Sequence, residues 1–252
     1  GKKILTIHGI YSQQIEMLHG KSSSIFSNKY EKNILTWADA ITAGSTEAYN
    51  YYKKFSSNVS FIPNGIDIKS LDNGIDIRYK KQIIFAGRLS VEKGIRTVIE
   101  SAKNLPKDID LLIIGDGPEK SFVIESIKNY ENIHYLGYQP KEKTISLIRG
   151  SKLLIQPSIA EGISSTLLEA MACSTPVIAT NIGGNVELFS NNSGILIEPE
   201  NPEELLNKII FLINDEEKLA KISKLALSQV QNYDWSNIGK KYLDLYKKLL
   251  NS

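Results

Sequence analysis

The chain is poor in the residues that staple small domains or bind metals. It has a single cysteine in 252 residues, Cys173, which excludes an internal disulfide and a cysteine-rich metal site. Cys173 lies at an apolar helix end and reads as a small core residue, which fits a reducing compartment. The three histidines, His8, His19 and His134, are too scattered for a metal cluster. Asp108 and Asp110 share an Asp-x-Asp spacing, but it reads as an accident of a loop, so no metal is expected. No apolar run approaches the ~18 residues needed to span a bilayer, and no signal peptide is visible. A formal net charge of +2 lacks the excess of a dedicated nucleic-acid binder, so no nucleic-acid partner is expected. There is no internal repeat or low-complexity tract.

Short apolar runs alternate with helical periodicity. Strands are predicted at residues 3–7, 40–43 and 59–62, with helices at 29–37 and 46–55. Pro63-Asn64-Gly65 is a turn signal. The polar stretch that follows, 67–81, reads as a linker. From residue 82 the pattern is cleaner. Strands are expected at 83–86, 110–114, 134–136, 153–156, 177–179 and 194–197. Helices are expected at 120–130, 141–149, 202–213, 216–230 and 237–250. Ser90 is placed to cap a helix in which Ile95, Val98, Ile99, Ala102 and Leu105 recur. Such alternation argues for an α/β fold with parallel, doubly wound sheets, whose ligands bind at the carboxyl ends of strands. The last helix has Ile238, Tyr242, Leu245, Tyr246 and Leu249 on one side and lysines around the rest; packing on the protein is favoured over lying on a membrane.

The most telling segment is PSIAEGISSTLLEAMA, running from Pro157 to Ala172. It puts Glu161 and Gly162 in a strand-to-helix turn, and Glu169 about two turns into the helix. A helix N-terminus with free N–H groups suits a phosphate or a polar sugar. Around it stand Pro176-Val177-Ile178-Ala179, Gly183-Gly184 and Glu187. Upstream are Gly87-Arg88-Leu89-Ser90-Val91-Glu92-Lys93-Gly94, Gly115-Asp116-Gly117-Pro118 and Ile62-Pro63-Asn64-Gly65-Ile66-Asp67. Together and in this order they resemble the retaining glycosyltransferases of the GT-B fold in the group 1 family (glycosyltransferase family 4), with its E-x7-E motif.

That resemblance implies one complete Rossmann-like domain at 82–234, which binds a nucleotide-sugar donor. It implies a helix at 235–252 crossing back to a partial N-terminal Rossmann-like domain at 1–66. The first half reads as lacking its first part, because three strands are visible where such a half has about six. A complementing polypeptide, or self-association through the incomplete sheet, is therefore expected.

The resemblance also implies roles. Arg88 and Lys93 would hold the donor diphosphate, with the backbone N–H groups of Gly162, Ile163, Ser164 and Ser165 facing sugar and phosphate. Glu161 would contact the transferred sugar, Glu169 the ribose, and His8 the sugar from across the cleft. Gly115, Gly137 and Tyr138 mark the nucleobase region, and Asn64-Gly65 the hinge. Ser164 and Ser174 stand where the family often has other small residues; Ser164 would put a side chain into the sugar pocket, and Ser174 falls at a helix end. The donor would be UDP- or GDP-hexose without a further cofactor, and the acceptor a glycan, lipid or small molecule. The expected location is cytoplasmic, with peripheral attachment to the cytoplasmic membrane face as a further option. Two rival readings are a sugar-nucleotide epimerase of the same fold and a non-catalytic nucleotide-sugar-binding fragment.

Overall fold

The structure, a computed structural model, describes residues 1–10, 20, 31, 33, 35–71 and 74–251. Two parallel sheets organise it. The first contains β1 (Ile4–Ile7), β2 (Ala40–Ala43) and β3 (Val59–Phe61) in that order, with α1 (Thr46–Lys53) between β2 and β3. Of the helix expected over 29–37, residues 29, 30, 32 and 34 lie outside the described residues; 31, 33 and 35 are helical, and 36–37 form a turn.

The second sheet is built from β4 (Gln82–Ala86), β5 (Asp110–Ile114), β6 (Ile133–Gly137), β7 (Leu153–Gln156), β8 (Val177–Thr180) and β9 (Ile195–Ile197). Their order is β6-β5-β4-β7-β8-β9, parallel throughout. The helices between them are α2 (Ile95–Ala102), α3 (Lys120–Ile127), α4 (Lys141–Arg149), α5 (Ser165–Ala172) and α6 (Gly183–Leu188). After β9 come α7 (Pro202–Ile213), α8 (Glu216–Val230) and α9 (Trp235–Leu250). The strands are nearly continuous apolar runs because both faces are covered. Ile84, Leu112 and Leu154 join α4, α5 and α8 residues on one face. Ile83, Phe85, Leu111 and Leu153 join α2 and α7 residues on the other. The strand order reverses between β4 and β7, and a crevice for ligands opens there at the strands' carboxyl ends.

Three local features differ from expectation. Ser90 does not cap α2. It precedes a 3-10 turn at Val91–Lys93 without a side-chain cap bond, and α2 starts only after Gly94, which is left-handed at φ 70°. The chain must turn sharply there because Gly94 lies against the Pro157 carbonyl. Glu169 lies in the second turn of the eight-residue α5, nearer its start than expected. The 67–81 stretch is not a free polar connector. Ile68–Leu71 forms a 3-10 turn, Leu71 enters the core, and Asp76 pairs with Lys143 at 2.6 Å. Lys143 beside it, with Arg78, holds the Asp76 carboxyl below the usual range against a smaller opposing effect of burial.

The chain crosses between the sheets twice at one place. Ile66 N–H donates to the Tyr233 carbonyl at 2.8 Å, and Trp235 N–H donates to the Ile66 carbonyl at 2.9 Å. Beyond that point Ile238, Leu245 and Leu249 of α9 pack with Ile4, Ala40 and Ile62 of the first sheet.

Cys173 is buried, and burial pushes its thiol up to about 11, as fits a core residue. Ser174 follows it at φ 58°, the left-handed position at which glycine commonly ends a helix. A β-carbon there costs roughly 1 kcal/mol. Ser174→Gly is therefore expected to raise stability by about 0.5–1 kcal/mol, read as a higher urea midpoint at unchanged slope. An unchanged or lower midpoint contradicts this.

Candidate active site

The crevice between β4 and β7 collects most of the residues singled out in the sequence. Arg88 follows β4 and is exposed. It lines a cavity of about 350 Å³ with Gly115, Asp116, Tyr138, Gln139 and Thr166. Tyr138 is 75% exposed, so its ring is available to a ligand. Gly115 fits there only because it has no side chain: an added Cβ would fall 1.8 Å from the Gly87 carbonyl oxygen. Its N–H donates to the Gly137 carbonyl at 3.0 Å.

A second cavity, about 360 Å³, is lined by His8, Asn64, Lys93, Glu161 and the 162–165 turn. Arg88 and Lys93 thus line separate cavities rather than one. Lys93 is already engaged: its Nζ lies 2.5 Å from Glu161 Oε2, and the Glu161 side chain is only 9% exposed. The two residues are 68 positions apart. A third cavity, about 300 Å³, opens on the other side of Glu161, between Ser45 and Glu47 of the first half and Ala160 and Gly183 of the second.

The turn that carries Glu161 is held by glycines. An added Cβ on Gly162 would lie 2.4 Å from the His8 carbonyl oxygen; one on Gly183 would lie 2.1 Å from the Glu161 carbonyl oxygen. One on Gly184 would approach the Gly162 oxygen to 2.6 Å. The start of α6 therefore nests against the Glu161-Gly162 backbone, and the first half rests on its other side.

His8 Nδ1 is 3.2 Å from Asn64 Oδ1, and Asn64 Nδ2 donates to the Ile163 carbonyl at 2.9 Å. With its amide nitrogen so used, Asn64 offers His8 an acceptor. His8 Nδ1 therefore donates to Asn64 Oδ1, which leaves Nε2 for a ligand. Asn64 thus ties His8 to the turn before α5, a role the turn signal around it did not disclose.

Ser164 lines the second cavity, yet its hydroxyl is taken by the protein. It is buried, and its hydroxyl hydrogen-bonds with the Gln156 side-chain amide at 3.0 Å, because a buried hydroxyl requires a partner. The N–H groups of the first turn of α5 have no intrahelical acceptor, no side chain caps them from Ser164, and Ser164 and Ser165 line the second cavity. Glu169 is largely buried. Burial raises its pKa, opposed by the Lys141 ammonium 3.7 Å away. Lys141 had no assigned place in the sequence reading.

Asp108 and Asp110 are each in an ion pair or hydrogen bond of their own, with Lys81 at 2.7 Å and His134 at 2.9 Å. Among the described residues no three His, Cys, Asp or Glu side chains converge on a metal site.

The family described as Glycosyl transferases group 1 matches residues 71–229, the part that holds the second sheet. The chain belongs to this family. A group 1 glycosyltransferase is an α/β protein of GT-B type here in both sheets. The structure superposes on that of Anabaena HepE in complex with UDP and glucose with a TM-score of 0.81, at 22% identity, over 97% of this chain and 71% of that one. An uncharacterized glycosyltransferase of Methanocaldococcus jannaschii is 29% identical over 92% of this chain and 67% of its own length. A D-inositol 3-phosphate glycosyltransferase of Corynebacterium urealyticum is 25% identical over 84% of this chain and 55% of its own. The group 1 glycosyltransferase described here thus spans from just over half to about two thirds of these relatives' length. Among its described residues no helix is long and apolar enough to cross a membrane.

Proposed function

We propose that the chain is the donor-binding portion of a retaining glycosyltransferase of family 4. It moves a hexose from UDP- or GDP-hexose to a hydroxyl of a glycan, lipid or small-molecule acceptor. Residues 82–234 act as the donor domain, residues 1–66 as part of the acceptor side, and 235–252 as the returning helix. A complementing polypeptide or a second copy at the first sheet, and a cytoplasmic setting with peripheral membrane attachment, belong to the same reading.

The observation that carries it is that Arg88 and Lys93, both in the segment after β4, line two cavities at the reversal of strand order, one shared with Glu161 and both with the start of α5. Negative charge builds on the departing diphosphate as its bond to the sugar breaks. Cations and backbone N–H groups already in place meet that charge without reorganising. Lys93 is paired with Glu161 before any donor arrives. Binding then exchanges partners: Lys93 turns to the diphosphate, and Glu161 accepts from sugar hydroxyls. Tyr138 lies under the base, Glu169 receives the ribose hydroxyls, and His8 reaches the sugar from the first half.

Calorimetric titration with UDP, GDP and ADP tests the reading. Binding of one nucleoside diphosphate well above the others supports it and identifies the base. A folded chain that binds none of the three contradicts it.

A further inference from the structure

Glu187 belongs to the run of motifs in the sequence, yet the donor site leaves it without a task. It lies on α6, whose first residues, Gly183 and Gly184, nest against the Glu161-Gly162 turn. Its carboxylate reaches the other half of the molecule. Glu187 Oε2 accepts from the Thr46 N–H at 3.2 Å and from the Thr46 hydroxyl at 2.6 Å. Thr46 is the first residue of α1, and the local cap, Ser45, satisfies the Ala48 N–H at 3.2 Å. The N-terminus of α1 is therefore capped twice, once by its own chain neighbour and once from 141 positions away. A carboxylate is favoured there by both the free N–H groups and the helix dipole.

We propose that Glu187 is a positioning residue that latches the two halves together through Thr46. Closing this edge seats His8 on Gly162 and keeps the Asn64 bridge to Ile163 in reach. The latch as such stands on these hydrogen bonds; its consequence for sugar transfer rests on the reading of the crevice as the donor site. A neutral amide at 187 still offers an oxygen to both Thr46 donors, so geometry and not charge alone is the requirement.

The test measures the separation of the halves directly. Spin labels are placed at two exposed positions, Lys54→Cys in the first half and Glu131→Cys in the second. The buried Cys173, with its thiol at about 11, is protected from labelling. Glu187→Ala is expected to raise the population of longer label distances by about 10-fold, through the loss of the two hydrogen bonds that Thr46 donates to one oxygen. Glu187→Gln restores the narrow distribution. Thr46→Val shows part of the opening and adds nothing on top of Glu187→Ala, since both break one contact. UDP affinity, titrated on the same proteins, stays within about 2-fold of the wild type, which is far below the tenfold step of 1.4 kcal/mol. Identical distance distributions in all variants overturn the proposal. So does independent addition of the Thr46→Val and Glu187→Ala effects. A fall in UDP affinity with unchanged distances would assign Glu187 to the donor site instead and overturn it equally. If the wild type binds no UDP while the distances respond as described, the nucleotide reading fails and the latch stands.

Discussion

Gly94→Ala is expected to cost about 2–5 kcal/mol of stability, a large share of the ~5–15 kcal/mol that holds a domain together. Two penalties add. The residue sits at φ 70°, where a β-carbon costs roughly 1–2 kcal/mol. That β-carbon would also lie 1.8 Å from the Pro157 carbonyl oxygen and 2.5 Å from its carbon. Overpacking of this kind costs roughly 1–3 kcal/mol when the neighbours can move. Here they are backbone, and the Ile159 N–H to Glu92 carbonyl bond at 2.8 Å ties the same two segments together. Relief must come from pushing the Lys93 turn away from the turn that carries Glu161. The variant should therefore lose donor affinity even below its melting temperature. Chemical denaturation and a nucleotide titration of the folded fraction check both parts. A loss under 1 kcal/mol with normal binding would mean that the close approach at Gly94 is not what joins these turns.

The second large effect is a split between the two cations. Arg88→Ala is expected to weaken nucleoside diphosphate binding by ~10-fold or more, since charge-assisted hydrogen bonds are worth about 1.5–3 kcal/mol. Its melting should not change, because Arg88 is exposed and makes no ion pair among the described residues. Lys93→Ala should weaken binding by a similar factor and also destabilise the fold. It leaves the largely buried Glu161 carboxylate without its cation, and an uncompensated buried charge is costly. Adding Glu161→Gln to Lys93→Ala should recover stability but not affinity. Thermal melts and titrations on the four proteins separate these outcomes. Equal melting of Arg88→Ala and Lys93→Ala would show that the Lys93–Glu161 pair does not support the resting site.

The parts of the molecule that the sequence disclosed are those set by local pattern. Six elements, at Ala40–Ala43, Asp110–Ile114, Lys141–Arg149, Leu153–Gln156, Pro202–Ile213 and Glu216–Val230, have the bounds the periodicity predicted. Apolar runs between turn residues suffice there. The misread places depend on contacts between distant segments. Ser90 is a good helix cap by composition, but Gly94 has to meet Pro157, so a 3-10 turn intervenes. No motif letter discloses that the Ser164 hydroxyl pairs with the Gln156 side chain eight positions earlier. The glycine pairs were visible as motif letters. Only the packing of Gly162 against His8 and of Gly183 against Glu161 shows that they let three backbones stack at the crevice. The Lys93–Glu161 pair, the Asn64 bridge and the Glu187 latch each join residues 68 or more positions apart, and no local spacing encodes such pairings.

The most direct test of the central claim is amide NMR mapping of UDP and GDP on the isotope-labelled chain. If the crevice is the donor site, shifts should concentrate at Gly87 and Arg88, at Gly115 and Tyr138, and along Gly162 to Thr166, with Lys93 and Glu161 moving as their pair opens. Perturbations confined to another surface, such as the faces of α7 and α8, or none at all at saturating nucleotide, would contradict the account.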